Sequence, residues 1–511
     1  MAEVSRTARV IQNAKVALFF YCINLILQFF SRKIFLDYLG AELLGLNTTA
    51  QNLLQFLNLA ESGIGVAVAF ALYKPLSQGN RQEIIDIVSL QGWFYRWVGL
   101  FVVAGSLILM TFFPWIFAKA QVPLIYAYGT FIAFLTSALL SYFVNYKMIV
   151  LSADQKEYKI TIETQSIKAI KVFVQMLAIY TLSHGYVWWM CLEAIAAVIT
   201  SIRLTHCVRK EYPWLHTNLS RGLQLKAQYS FLLVKTKQLF FHKIAGFVLG
   251  QTTPLIIYFF STLSVVATYG NYLLVIGGCL MLVEALFRGL SSSVGNLVAE
   301  KEKDQVLKVY WSVFTLRIYF AGVVAFCFFY LSESFITLWL GGSYVMSIEI
   351  TLLISLVYFI QMSRTNEIFL SAYGLFQDVW APIVEALLNI SLSMLFGSLW
   401  GVSGILIGVL ISLIVIVYGW KGYFLFVQGF QVNPFQYFFQ LFIKLLGLLI
   451  AFITIYFFLK KYFVFFTLRN FVDWALSACL IFIFTSGIVG LLLLLVDSSI
   501  RTPFLSFIRK K

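Results

Sequence analysis

The chain has 511 residues, of which 61% are hydrophobic, 18% are aromatic and only 12% are charged, and its mean hydropathy is +0.88. About a quarter of the residues in soluble domains are charged, so this composition excludes a soluble globular protein and indicates a polytopic membrane protein. The net charge of +15 comes from 37 basic and 22 acidic residues. Because most of these charges lie between apolar segments, they indicate membrane topology and contact with anionic lipid heads rather than nucleic-acid binding.

Apolar segments recur along the whole chain, and each is long enough to cross about 30 Å of hydrocarbon as a helix. They predict an all-α integral membrane protein with about fourteen transmembrane helices, within a range of twelve to fourteen because helix 13 is weak. The predicted spans are residues 15–36, 43–73, 87–117, 124–151, 161–182, 187–206, 236–260, 263–288, 307–330, 346–372, 381–399, 402–427, 441–460 and 472–496.

A weak internal repeat predicts two six-helix lobes. Helix 2 ends in SGIGVAVAFALYKPLSQGNRQEI and helix 8 ends in RGLSSSVGNLVAEKEKDQVL, so that small residues precede a short charged loop in both. Parallel repeats of this kind are typical of transporters. The predicted domains are an N-terminal lobe (1–206), a basic cytoplasmic linker (207–231), a C-terminal lobe (232–428) and two extra helices with a basic tail (429–511).

Basic residues predict the orientation of the chain. They cluster before the first helix, in alternate loops and in the final Arg509-Lys510-Lys511, whereas the loops around 37–42, 183–186, 261–262, 331–345 and 400–401 contain no Lys or Arg. The positive-inside rule therefore places both termini in the cytoplasm. The loop that carries Lys460, Lys461 and Arg469 breaks the pattern.

Helix 2 carries a stripe of amides. Asn47, Gln51, Gln55, Asn58 and, at its end, Ser62 recur at the helical period on one face, while leucines flank them. Amides suit hydrogen bonding to sugars, so we expect this face to line a water-filled cavity. The alternative is that the amides hold helices together by interhelical hydrogen bonds.

Several ionisable residues lie inside predicted spans, where a charge is costly and usually faces a cavity or a partner. Arg32 continues a polar face that Asn24 and Gln28 begin, and Arg96 lies deep in helix 3. For other charges an ion pair is the alternative. The candidate pairs are Lys33 with Asp37, Glu284 with Arg288, and Arg364 with Glu367.

Motifs for soluble-type chemistry are missing from the sequence. There is no GxxxxGK[ST] nucleotide loop, no HExxH and no GxSxG. The four histidines are dispersed, and the six cysteines form no CxxC pair. We therefore expect neither an enzyme nor a metal or other cofactor, and an H⁺ or Na⁺ gradient is the candidate energy source.

Two stretches resemble the bacterial polysaccharide flippases, the Wzx-type members of the multidrug/oligosaccharidyl-lipid/polysaccharide exporter superfamily. Residues 31–80 read SRKIFLDYLGAELLGLNTTAQNLLQFLNLAESGIGVAVAFALYKPLSQGN, and residues 240–275 read FFHKIAGFVLGQTTPLIIYFFSTLSVVATYGNYLLV. The resemblance covers residues 10–310 well and the remainder by hydropathy only.

The resemblance implies two lobes around a central cationic cavity in the bacterial cytoplasmic membrane. Proteins of this family flip oligosaccharide repeat units linked to undecaprenyl pyrophosphate from the inner to the outer leaflet. It implies pyrophosphate contact first by Arg32, and sugar contact by Asn47, Gln51, Gln55 and Asn58. The secondary candidates for pyrophosphate contact are Arg96, His242, Lys243, Arg288 and Arg364. A polysaccharide polymerase and other glycan-assembly proteins are the expected protein partners.

Two alternatives stay open at this point. One is a cation-coupled drug antiporter of the same superfamily, which would favour acidic rather than basic cavity residues. The other is a membrane-embedded polysaccharide polymerase or ligase, which would need a substantial outer catalytic loop.

Overall fold

The computed structural model describes residues 6–61, 63–287, 290–375, 377–378, 380–462 and 470–496. Within these ranges, it describes the backbone but not the side chains of residues 6–11, 234–235, 237–246, 249, 291–293, 296, 299 and 494–496. Within these ranges the chain forms helices and no strand. It divides into two compact units, Met1–Ala267 (unit 1) and Thr268–Lys511 (unit 2).

Unit 1 consists of ten helices and the start of an eleventh. They are α1 (Arg6–Asn58), α2 (Ile64–Gln78), α3 (Arg81–Thr111), α4 (Phe113–Ile116), α5 (Leu124–Phe143), α6 (Ile149–Ala153), α7 (Glu157–Thr181), α8 (Gly185–Glu211), α9 (Gly222–Gln228), α10 (Phe231–Phe260) and α11 (Leu263–Phe287). Helix α7 packs against both α1 and α8, α5 packs against α8, and α10 packs against α1 and α2. Because of this last packing, α10 belongs to unit 1, although it lies beyond the predicted linker at 207–231.

Unit 2 consists of the remainder of α11 and eight further helices. These are α12 (Leu290–Glu300), α13 (Lys303–Leu340), α14 (Ile348–Met362), α15 (Asn366–Ala372), α16 (Trp380–Leu413), α17 (Lys421–Phe424), α18 (Phe435–Tyr462) and α19 (Phe471–Val496). Two π-helical segments, Ile414–Trp420 and Leu425–Phe430, flank α17. Helices α18 and α19 lie where the sequence predicts helices 13 and 14.

Glycines mark the bends of the long helices. Helix α1 is kinked at Gly40 (φ 82°, ψ 171°), and α16 is kinked at Trp400 and Gly401, in the positions where the sequence predicts loops between spans. The predicted span 43–73 is also interrupted, because Gly63 has a φ of 99° and α2 begins only after it. A side chain with a Cβ rarely adopts a positive φ, so glycine is the residue expected at such breaks.

Ten helical segments of the described chain are long and apolar enough to cross a membrane. Two of them, Gln12–Glu61 and Trp380–Phe430, contain 50 and 51 residues and include the kinks, so each has the length of two crossings at about 1.5 Å per residue. Helices α7 and α10 lie at the positions of predicted spans 5 and 7. The predicted fold class, an all-α integral membrane protein, is therefore confirmed.

Candidate functional site

Helices α1 and α7 run parallel, and polar side chains join them. Asn24 donates from Nδ2 to Oε1 of Gln165 over 2.8 Å, and the rings of Tyr38 and Tyr180 meet further along with centroids 5.5 Å apart. This register sets the polar face of α1 level with the middle of α7. The polar residues that the sequence predicts on helix 1 therefore face protein at Asn24 rather than lipid.

Three charged side chains occupy the middle of α7 and α8, and we call them the α7–α8 cluster: Lys168, Lys171 and Glu193. The Lys171 ammonium bonds both carboxylate oxygens of Glu193, at 2.7 and 2.8 Å, and Gln175 donates to the same carboxylate over 3.2 Å. The side chains of Lys171 and Glu193 are only 17% and 16% exposed. They form a partly buried ion pair between the two helices.

Lys168 is the unusual member of this cluster. It lies eleven residues into α7, about 16 Å along a helix of 25 residues, and it is half-buried. Lys171 and Glu193 act on it electrostatically, yet Glu193 already bonds Lys171. No other carboxylate in the described ranges comes within ion-pair distance of the Lys168 ammonium. A cation at this depth without a bonded carboxylate is suited to an anionic ligand.

Arg32 lies on α1, eight residues before the kink at Gly40. Its side chain is half-buried, and Nη2 donates to the carbonyl of Ala267 in α11 over 3.1 Å. Nearer the end of this helical segment, exposed Lys33 pairs with exposed Asp37 at 3.2 Å, so the ion-pair alternative for Lys33 is confirmed. The α7–α8 cluster itself has two cations, Lys168 and Lys171, and one carboxylate, Glu193.

The amide stripe divides into two kinds of residue. Asn47 is buried and accepts a hydrogen bond from Tyr186 over 2.7 Å, and Asn58 accepts one from Tyr142 over 2.9 Å. These two amides make the interhelical bonds that the packing alternative expects. Gln51 is exposed and Gln55 is half-buried, so both remain accessible for contacts outside the helix packing.

Of the remaining candidates, the structure describes the side chains of Arg96 and Arg364. Arg96 is exposed on α3. Arg364 lies in unit 2. The side chains of His242 and Lys243 and the whole of Arg288 are outside the described residues, as is Ser62 at the end of the stripe.

Unit 2 contains a charge network around the break between α14 and α15. Arg364 lies in that break and bonds Glu367 and Glu385, each at 3.1 Å, which confirms the predicted pair with Glu367. Lys421 approaches the same Glu367 oxygen at 2.6 Å. The Glu385 side chain is only 1% exposed. Arg364 therefore neutralises a buried carboxylate.

Arg317 extends this network. It donates to Glu284 over 2.8 Å and to the backbone carbonyl of Arg364 over 3.0 Å. The sequence predicts Arg288 as the partner of Glu284, and in the structure Glu284 bonds Arg317 of α13. The six side chains Glu284, Arg317, Arg364, Glu367, Glu385 and Lys421 comprise three cations and three carboxylates, so this network has no surplus charge.

Lys168 and Lys171 are not among the site residues predicted from the sequence. Both lie inside the predicted span 161–182, three residues apart, so that they occupy one side of a helix. That spacing is the signal that could have found them. In the described part of the chain, no group of three or more His, Cys, Asp or Glu residues could hold a metal ion.

Comparison with known proteins finds solved structures that are similar to this chain, but no family model or curated protein that matches it. The chain is similar to the lipid II flippase MurJ in an inward closed conformation, with a TM-score of 0.64 and 15% identity over 95% of this chain and 99% of that one. It is also similar to an inward-facing multidrug resistance MATE family transporter of the MOP superfamily, with a TM-score of 0.58 and 14% identity over 80% of this chain and 97% of that one.

A MATE structure in a bent conformation is similar as well, with a TM-score of 0.50 and 13% identity over 81% of this chain and 94% of that one. At such low identities these likenesses establish the fold. The chain has the fold of multi-pass membrane transporters, which the resemblance predicts, whereas the polysaccharide-flippase branch stays a prediction.

Proposed function

We propose that this protein flips oligosaccharide repeat units linked to undecaprenyl pyrophosphate from the cytoplasmic to the outer leaflet, by alternating access. The observation that carries the proposal is the surplus of positive charge in the α7–α8 cluster of unit 1, where Lys168 and Lys171 accompany one carboxylate, Glu193. Among the described residues no carboxylate bonds the Lys168 ammonium, and the single carboxylate of the cluster, Glu193, bonds Lys171. A pyrophosphate group is the anion that such a surplus would compensate during transfer.

The chemistry of these side chains suits a pyrophosphate. Charge-assisted hydrogen bonds to phosphate are among the strong ones, and Arg binds two oxygens at once while Lys acts as a point charge. The accessible amides of Gln51 and Gln55 have the donors and acceptors that sugars need. The similarity to MurJ, a lipid II flippase, supports a lipid-linked substrate.

A cation-coupled drug antiporter is the second candidate, and the similarity to MATE transporters favours it. An organic cation would need an accessible carboxylate. Glu367 and Glu385 are both bonded to Arg364, and Glu193 is bonded to Lys171. A cationic substrate would have to displace these partners. Glu42 and Glu61 instead accept hydrogen bonds from Ser264 and Tyr95 and pair with no cation among the described residues, so they are the carboxylates that a cationic substrate would use.

The proposal includes a location and partners. We place the protein in the bacterial cytoplasmic membrane with both termini in the cytoplasm, where lipid-linked repeat units are assembled. It acts there as a transporter rather than an enzyme, and a polysaccharide polymerase would receive its product on the outer side.

The test is the distribution of lipid-linked oligosaccharide in the native host after deletion of the gene. Cells are complemented with wild type, Lys168→Gln or Lys74→Gln, the last being an exposed lysine at the end of α2. We expect full-length repeat units to accumulate on the inner leaflet in the deletion and in Lys168→Gln, and to be cleared by wild type and by Lys74→Gln.

Three outcomes would contradict the proposal in whole or in part. If repeat units reach the outer face normally in the deletion strain, the protein acts after translocation. If their distribution is unchanged but ethidium efflux is lost, the protein is the antiporter. If Lys168→Gln clears repeat units as wild type does, Lys168 is not the residue that meets the pyrophosphate.

A further inference from the structure

A cavity in unit 2 collects polar groups at one end of four helices. It has a volume of about 440 Å³ and lies between the end of α13, the start of α14, the end of α18 and the start of α19. Its lining includes Glu333 and Thr337 of α13, Lys460 of α18 and Ser477 of α19. By the predicted topology this is the outer end of these helices, because the loop 331–345 contains no Lys or Arg.

Lys460 is one of the residues that break the positive-inside pattern. A lysine on the outer side is disfavoured by that pattern, and the structure places this one, exposed, in the lining of a cavity that also includes a carboxylate, Glu333. No ion pair joins the two within the described ranges. The cavity thus presents one cation and one anion that are both available to a ligand.

Ser477 is an independent sign of a polar ligand. Its side chain is only 2% exposed, and its hydroxyl has no hydrogen-bond partner in the described part of the chain. A buried hydroxyl without a partner is costly. A ligand with an acceptor oxygen that enters the cavity would satisfy it.

A second, apolar cavity continues from the first. It has a volume of about 660 Å³ between α13, α14 and α18, and Phe329, Ile348 and Tyr456 line both cavities. Most of its other lining residues are aliphatic or aromatic, such as Leu352 and Leu449. The two cavities form one site with a polar end and an apolar end.

We propose that this site binds a phosphatidylethanolamine molecule of the outer leaflet. The phosphate bonds the ammonium of Lys460, the ethanolamine ammonium bonds the carboxylate of Glu333, and one acyl chain fills the apolar cavity. A zwitterionic head with a hydrogen-bonding ammonium matches both charges. Phosphatidylglycerol has no cation for Glu333, and the quaternary ammonium of phosphatidylcholine cannot donate a hydrogen bond.

The test is native mass spectrometry of the full-length protein in detergent with dioleoyl phosphatidylethanolamine or phosphatidylglycerol added. We expect one phosphatidylethanolamine to bind preferentially. Lys460→Gln should weaken its binding about tenfold or more, as for loss of one charge-assisted hydrogen bond to phosphate. Lys461→Gln is the matched control, because Lys461 is an exposed neighbour that does not line the cavity.

Two further variants test the polar end and the apolar end of the site one at a time. Glu333→Gln should abolish the preference for phosphatidylethanolamine over phosphatidylglycerol, and Leu449→Trp should weaken both lipids by filling the apolar cavity. Equal effects of Lys460→Gln and Lys461→Gln would overturn the proposal and indicate ordinary surface lipid. Unselective binding of the two lipids by the wild type would overturn it as well. Because this site is independent of the α7–α8 cluster, its failure leaves the proposed transport function untouched.

Discussion

Lys168 and Lys171 lie three residues apart on α7, yet of the two only Lys171 bonds a carboxylate among the described residues. At mid-membrane depth this difference decides what each lysine contributes. The Lys171–Glu193 pair is neutral and joins two helices, whereas Lys168 contributes a charge that the rest of the cluster does not cancel. An intramembrane charge of this kind is retained at a cost in stability, which is the reason to connect it with substrate.

Neutralising Glu193 separates the two transport hypotheses. Glu193→Gln should release Lys171 and increase the positive surplus, so a flippase should keep or strengthen its binding of a pyrophosphate lipid. The lost ion pair should lower the free energy of unfolding by about 1–3 kcal/mol. Binding is measured with purified protein, and unfolding by thermal denaturation in detergent.

The matched control for this prediction is Glu163→Gln, because Glu163 pairs with the largely exposed side chain of Arg203. Exposed pairs contribute about 0–1 kcal/mol, so we expect little change. Complete loss of transport in Glu193→Gln with the fold intact would instead indicate that Glu193 binds a coupling cation or a cationic drug.

Arg364 should matter for stability before it matters for substrate. Arg364→Gln leaves the buried Glu385 without its basic partner, and removing one partner of a buried ion pair costs about 3–5 kcal/mol. Lys421→Gln should cost less, since Glu367 keeps Arg364. Thermal unfolding of the two variants in detergent measures the difference.

The double variant Arg364→Gln/Glu385→Gln tests the cause. It should recover part of the lost stability, because neither charge is then left alone in the protein interior. If Arg364→Gln unfolds at the wild-type temperature but no longer transports, Arg364 contacts the substrate as the resemblance implies.

At the scale of the helices, glycines decide how closely some elements approach. A Cβ at Gly45 of α1 would overlap the backbone carbonyl of Leu263 at the start of α11. Backbone atoms cannot move aside as the end of a flexible side chain can, so the two helices would have to separate. Close helix contact at small residues is a recurrent feature of membrane proteins.

Gly45→Ala should therefore lower the thermal stability, by roughly 1–3 kcal/mol for a substitution that overpacks a contact. Gly277→Ala in α11 is the control, because a Cβ there meets no atom within 4 Å. Alanine has the higher helix propensity by about 1 kcal/mol, so this control should be neutral or slightly stabilising. Equal losses in both variants would show that the approach to Leu263 is not tight.

At the scale of the whole chain, the basic residues predict that the loops alternate sides. Single cysteines, introduced into a variant that lacks the six native cysteines, test on which side of the membrane each loop lies. Ser183→Cys and Ser343→Cys should react with an impermeant maleimide in intact cells, whereas Gln78→Cys should react only after lysis. All three positions are exposed. Labelling of Gln78→Cys from outside would reverse the orientation, and with it the assignment of Lys460 to the outer side.

The sequence by itself was sufficient to predict the fold class, and a helix lies at the position of each predicted span, helices 13 and 14 included. The physical reason is that membrane insertion is a local property. A stretch of about 20 apolar residues satisfies its backbone hydrogen bonds within itself as a helix, so its composition reveals it without reference to the rest of the chain. The bends at Gly40 and Gly401 follow from the same local chemistry.

Only the tertiary structure decided which polar side chains have partners. Arg364 bonds Glu385, Arg317 bonds Glu284, and Asn47 bonds Tyr186, 139 residues away. A helical period places a residue on a face, but it does not tell which helix packs against that face or which charge lies there. The free energy of a buried charge depends on distances of a few ångströms to groups remote in sequence. For that reason the sequence pattern does not distinguish Lys168 from Lys171. The packing does, because among the described residues only Lys171 of the two bonds a carboxylate.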